Sequence, residues 1–168
     1  KLNIKTSNGG QEIKFHQDWA FYPHTNSDLI AVGIMIDKVT NDNAPLVVFP
    51  KTHKGKIYDH HRNGFFRGSI DMKKEKLDFS TSKTITGSAG SVSFHHVKLL
   101  HGSRKNTSNY SRKILFLEYA SSDAWPLNDL DVYGSYENYE KNNISGKISN
   151  IPRMEKEQII LPYPKPPK

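Results

Sequence analysis

Short runs of strand-forming residues, interrupted every few positions by Gly, Pro or Asn, restrict this chain to an all-β architecture. Ile13–His16 alternates apolar and polar side chains, and Leu46–Phe49 is closed by Pro50. Thr84–Thr86, Ser91–His95 and Lys98–His101 are punctuated by Gly87, Gly90 and Gly102, and Lys113–Tyr119 is a further strong β run. Leu29–Ile36 is almost continuously apolar, the pattern of a strand buried on both faces. Strands at this spacing predict a sandwich or barrel, and no stretch competes as a long amphipathic helix. Residues 1–10, ending in Asn8-Gly9-Gly10, read as a loop. Residues 53–83, polar and rich in His and Lys, read as a long excursion with one short helix. A chain of 168 residues is long enough for one domain with its own core. That domain is expected to occupy residues 1–126. Residues 127–168 form a polar, Tyr-rich extension that ends in Pro162-Tyr163-Pro164-Lys165-Pro166-Pro167 and packs on the domain or trails from it.

Composition narrows the chemistry. There is no cysteine, so disulfides, thiolate metal sites and thiol nucleophiles are excluded, and any metal must be held by His, Asp and Glu. The formal charge of +7 comes from scattered lysines that are not interleaved with stacking aromatics, which is the pattern of a solvated surface. No nucleic-acid partner is expected. No apolar run approaches the roughly 20 residues of a membrane span, and no secretory leader is visible at Lys1, so the expected location is cytoplasmic.

His16-Gln17-Asp18 is the only H-x-D in the chain. Residues two apart on a strand share a face, so the imidazole and carboxylate can converge on one ion. Alone the motif arises easily by chance. His101 follows Asp18 by 83 positions (101 − 18), at the end of a later β segment and before Gly102-Ser103. Two histidines and one carboxylate make the facial triad that holds Fe(II) and leaves coordination positions open for a keto acid and dioxygen. Arg112 comes 11 residues after His101 (112 − 101), beyond a connection rich in Asn, Thr and Ser. A hairpin there would set Arg112 beside His101, where its guanidinium could grip a carboxylate through two parallel hydrogen bonds. Ser103 could add a third. Taken singly, Arg112 reads better as a strand-edge arginine in a surface ion pair. Ser103, His101 and Asp18 make a poor nucleophilic triad, because no nucleophile elbow surrounds Ser103. His60 and His61 with Asp59 make a poor second metal site, because adjacent side chains diverge.

These segments resemble the phytanoyl-CoA dioxygenase family. The resemblance is carried by Phe15–Asn26, by Asn43–His53, and by Gly90–Phe94 through His96 and Leu100–Ser103 to Arg112. It implies a double-stranded β-helix, a cupin-like jelly roll with short helices and long loops. It also implies that His16, Asp18 and His101 bind iron while Arg112 and Ser103 hold 2-oxoglutarate. His96 matches a histidine common in the family and is expected to support the iron site. Some members carry a tryptophan near Ile34 that lines the keto-acid pocket, and Ile34 would leave that wall smaller. Members also carry strands and helices ahead of the H-x-D strand, whereas fifteen residues precede His16, so part of the fold is expected to be missing or to come from elsewhere. The implied activity is an iron(II)/2-oxoglutarate-dependent dioxygenase that hydroxylates a small organic or acyl substrate with dioxygen and releases succinate and carbon dioxide. The intact Asp18 carboxylate favours hydroxylation over halogenation. A non-catalytic jelly-roll binding module and a different cupin-type metalloenzyme are the alternatives.

Overall fold

The computed structural model describes residues 1–128 and 134–167. In chain order the strands are β1 (Leu2–Lys5), β2 (Ile13–His16), β3 (Leu29–Met35), β4 (Leu46–Val48), β5 (His61–Arg62), β6 (Phe65–Phe66), β7 (Lys83–Ile85), β8 (Val92–His96), β9 (His101–Ser103) and β10 (Arg112–Ala120). The short helices α1 (Met72–Glu75) and α2 (Tyr136–Lys141) join them. Two antiparallel four-stranded sheets result, ordered β1-β10-β3-β8 and β2-β9-β4-β7, with β5-β6 as a separate hairpin. Apart from β4 and β7, successive strands of the two main sheets alternate between them, which is jelly-roll connectivity. The fold class read from the sequence holds.

Three local readings change. Residues 1–10 are not all loop, because Leu2 and Ile4 alternate with polar residues and β10 supplies a partner, with Leu2 opposite Leu115 and Lys5 opposite Arg112. The β9 strand starts at His101 rather than at Lys98. The β3 strand is not buried on both faces. Leu29, Ala31, Gly33 and Met35 point inward, whereas Ile30 on the other face is exposed. That outer face carries the apolar row Leu2, Leu115, Ile34 and Val92 across all four strands. Phe94 beside it is 66% exposed.

The inner faces pack as small clusters around the site. Met35, Val39 and Ile114 close one end, and Phe49, Ile70 and Leu100 another. Trp19, Leu29, Ile57, Val97 and Ala124 form a third under the loop that leaves β2. The C-terminal segment lies across this third cluster. The Trp19 indole donates to Gln158 O (3.2 Å), and Glu155 N donates to Thr25 O (2.9 Å). Arg153 is ion-paired with Asp28, Asp123 and Glu155. Buried Asn26 donates to Asp123 O and Arg153 O, so it ties this segment down rather than facing a substrate.

Candidate metal centre

The β2 strand ends at His16, and Asp18 opens a short 3-10 turn through Ala20. The two side chains therefore converge through an extended Gln17 at the strand exit, not through continuous strand geometry. Gln17 is fully buried, and its side chain donates to Lys98 O (2.8 Å) and accepts from Tyr58 N (2.9 Å). Its backbone N–H donates to His60 Nε2 (2.9 Å). Nothing in the sequence pattern marks Gln17 or His60 as supports. His60 is a neutral acceptor that clamps the H-x-D turn.

The β9 strand lies between β2 and β4, with His101 opposite both His16 and Val48. Alternation puts Ser103 on the same face as His101, and Gly102 between them has no room for a side chain. A Cβ there would stand 2.8 Å from Ile13 O.

The result is a cluster in which His16 Nε2 lies 3.4 Å and His101 Nε2 3.6 Å from Asp18 Oδ1. One ligand atom from each of the three falls within 4.8 Å of the others, and this is the only such group among the described residues. Donors in adjacent octahedral positions around a small dication stand about 3 Å apart, so the set fits one ion with little movement. The rings are pre-oriented. His16 Nδ1 lies 2.7 Å from Lys14 O and His101 Nδ1 2.9 Å from Leu99 O. A carbonyl only accepts, so both protons sit on Nδ1 and both Nε2 lone pairs face Asp18. Burial pushes the His101 imidazole down to about 3, against the attraction of Asp18. Burial alone would raise Asp18, but the His16, His95 and His101 imidazoles around it hold its carboxyl well below the usual range. Imidazole nitrogens converging on an anionic carboxylate are ready ligands for a cation.

His95, not His96, joins this cluster. Its Nε2 lies 3.3 Å from Asp18 Oδ2, so it holds the oxygen that faces away from the other two histidines. His96 is on the opposite face of β8, near His53 and accepting from Lys98 N, because adjacent strand residues point to opposite sides. The same alternation removes Ile34 from the pocket. Ala31 and Phe116 line it, and Gly33 between them leaves space for the Phe116 ring, which a Cβ would meet at 2.9 Å. Burial first, and then the nearby carboxylates of Asp18 and Glu118, keep the Tyr22 hydroxyl protonated.

Arg112 and His101 are not hairpin neighbours, since β9 and β10 belong to opposite sheets. Arg112 is 2% exposed. Its Nη1 donates to Asn3 Oδ1 (2.9 Å), its Nη2 donates to Ala44 O, and its Nε has no partner. Among the described residues no carboxylate pairs with it, and burial lowers it to about 10. Lys5, opposite Arg112 in the ladder, is likewise buried and lowered to about 8, by desolvation first and then by Arg112. Asn3 and Ser103 both line the inner chamber of about 110 Å³ that holds the cluster, and the buried Ser103 hydroxyl has no partner. Buried cations without a counter-ion and a free hydroxyl suit an anionic group bound beside the metal ligands.

The sequence and the jelly roll that carries this cluster have counterparts among known proteins. The phytanoyl-CoA dioxygenase (PhyH) family model matches residues 1–114. The chain belongs to this family. A probable alpha-ketoglutarate-dependent hypophosphite dioxygenase of Stutzerimonas stutzeri is 40% identical over 168 residues, covering 98% of this chain and 57% of the relative. Human peroxisomal phytanoyl-CoA dioxygenase is 33% identical over 131 residues, 75% of this chain and 38% of that protein. Among solved structures, the non-heme alpha-ketoglutarate-dependent carbocyclase SnoK superposes with a TM-score of 0.64 at 21% identity, over 77% of this chain and 52% of that one. EctD from S. alaskensis with 2-oxoglutarate and 5-hydroxyectoine gives 0.58 at 23% identity, over 72% and 42%. These structures share the fold. The chain spans about half the length of the family relatives it matches. Among the described residues no helix is long and apolar enough to cross a membrane.

Proposed function

We propose that this chain is the metal- and co-substrate-binding core of an iron(II)- and 2-oxoglutarate-dependent oxygenase that hydroxylates a small molecule. The observation that carries the reading is the cluster of His16, Asp18 and His101, with both Nδ1 protons parked on backbone carbonyls. The three side chains would hold Fe(II) facially, and His95 would keep Asp18 bound through one oxygen. Iron(II) at this position would couple dioxygen to 2-oxoglutarate, so that a substrate X–H becomes X–OH while 2-oxoglutarate becomes succinate and carbon dioxide. The Ser103 hydroxyl and the buried guanidinium of Arg112 would hold the co-substrate's far carboxylate, with Asn3 moving off Nη1. The inner sheet faces would exclude water from the reacting atoms. Relatives are named for hypophosphite, L-proline and phytanoyl-CoA, and 2-oxoglutarate (alpha-ketoglutarate) recurs in the names of the hypophosphite relative and of the EctD and SnoK structures.

The test is anaerobic addition of Fe(II) and then 2-oxoglutarate to the protein. A weak visible charge-transfer band should appear, absent from Asp18→Ala and weakened in Arg112→Met. Fe(II) binding should be readable separately by competition with a chelating dye. A wild-type protein that binds Fe(II) no better than Asp18→Ala overturns the reading.

A further inference from the structure

A second chamber of about 290 Å³ adjoins the inner one, sharing Ala31 and Glu118 with it. The two differ in charge. The inner chamber carries Lys1 as well as the carboxylates of Asp18 and Glu118, and the buried cations Arg112 and Lys5 lie behind its Asn3 wall, so that end suits an anion. In the outer chamber Glu118 is the one charged side chain among the described lining residues.

Beside the Tyr22 and Tyr119 hydroxyls, two further polar groups of its lining present acceptors. The Asn128 amide donates through Nδ2 to Phe21 O (2.6 Å), which leaves Oδ1 buried without a partner. A flipped amide would set two oxygens against each other, so this orientation is determined. His24 Nδ1 lies 2.8 Å from Tyr22 O and must carry the proton, leaving Nε2 as an acceptor. Burial keeps that ring neutral. Phe21, Tyr22 and Tyr119 supply aromatic walls, and aromatic faces attract cations. A chamber with a carboxylate, two further acceptors and aromatic walls recognises a ligand rich in donors and positively charged.

Resting on the oxygenase reading above, we propose that the outer chamber takes a compact aliphatic amine as its ammonium ion, seated on Glu118, with Asn128 Oδ1 and His24 Nε2 as further acceptors. Glu118 borders both chambers, so an ammonium bound there places the neighbouring carbon at the opening toward Asp18 and His101. Substrate R–H, dioxygen and 2-oxoglutarate then give R–OH, succinate and carbon dioxide, with one oxygen atom in the new hydroxyl and the other in the succinate carboxylate.

The experiment is ligand-observed NMR titration of the protein with pyrrolidinium, cyclopentanecarboxylate and hypophosphite. Wild-type protein should bind pyrrolidinium saturably and most tightly of the three. Glu118→Gln should weaken pyrrolidinium at least tenfold, and Glu118→Lys should reverse the preference toward cyclopentanecarboxylate. Glu118 is exposed at the mouth, so both variants should fold. Tighter binding of either anion by the wild type, or a Glu118→Gln affinity for pyrrolidinium within twofold of wild type, overturns the proposal. The keto-acid band separates the two readings. A band without pyrrolidinium binding overturns the amine assignment alone, whereas Glu118-dependent pyrrolidinium binding sustains it even where no band forms.

Discussion

His60 gives a pH dependence that can be worked out quantitatively. It is 1% exposed, its Nδ1 lies 2.8 Å from Tyr58 O, and its Nε2 accepts the N–H of Gln17. The bond from Gln17 exists only for the neutral ring, since a second ring proton would point at the Gln17 N–H, whereas the bond to Tyr58 O survives protonation. Burial first, opposed by the Tyr58 carbonyl, lowers this imidazole from 6.5 to about 4. Below the ordinary value the unfolded chain takes up a proton that the fold refuses, so stability is full above about pH 6.5 and falls as pH drops toward 4. Each unit is worth about 1.4 kcal/mol, so this group should remove about 2 kcal/mol between pH 7 and 5 and about 3 kcal/mol by pH 4. The assay is urea unfolding of metal-free wild type and His60→Gln at each pH. Gln retains an acceptor for Gln17 but cannot titrate, and the other histidines cancel in the difference. A wild-type-minus-variant difference that stays flat to within about 0.5 kcal/mol over this range would refute the argument.

Other perturbations follow from the same geometry. Gly102→Ala forces a Cβ against Ile13 O and should cost about 1–3 kcal/mol in urea unfolding, with Fe(II) affinity falling in parallel as β9 shifts. His95→Phe removes the bond to Asp18 Oδ2 while keeping an aromatic side chain, and should lower Fe(II) affinity about 10–100-fold by chelator competition. His96→Phe, on the other face, should leave that affinity within twofold. Arg112→Met removes a buried cation that has no carboxylate partner. It should weaken 2-oxoglutarate about tenfold or more in titrations followed by the charge-transfer band, while Fe(II) binding persists.

Much of the site was legible because its chemistry is carried by residue type and order. An H-x-D followed at distance by His-Gly-Ser and an arginine names a metal and an anion whatever the exact contacts. The family's aligned positions also direct attention to His96 and Ile34, and both lie on the wrong face. One signal for the right residues was present. Arg112, Ile114, Phe116 and Glu118 sit two apart on β10, so a buried Arg112 implies that Glu118 shares its side of the sheet. No signal pointed to His60, which reaches Gln17 across 43 positions of chain.

By itself the sequence determined the β content, the absence of thiol chemistry, and the set of side chains able to hold a metal. Those depend on composition, local turn chemistry and period-2 alternation, all short-range properties. Only the tertiary structure decided which of the two strand faces is the inner one, because alternation defines a pair of faces and packing chooses between them. The register of β8 on β3, with His95 opposite inward-facing Ala31, made His95 the partner of Asp18. Placing β9 and β10 in opposite sheets put Arg112 and His101 on different sheets instead of on neighbouring strands. Pairing partners far apart in the chain settled both.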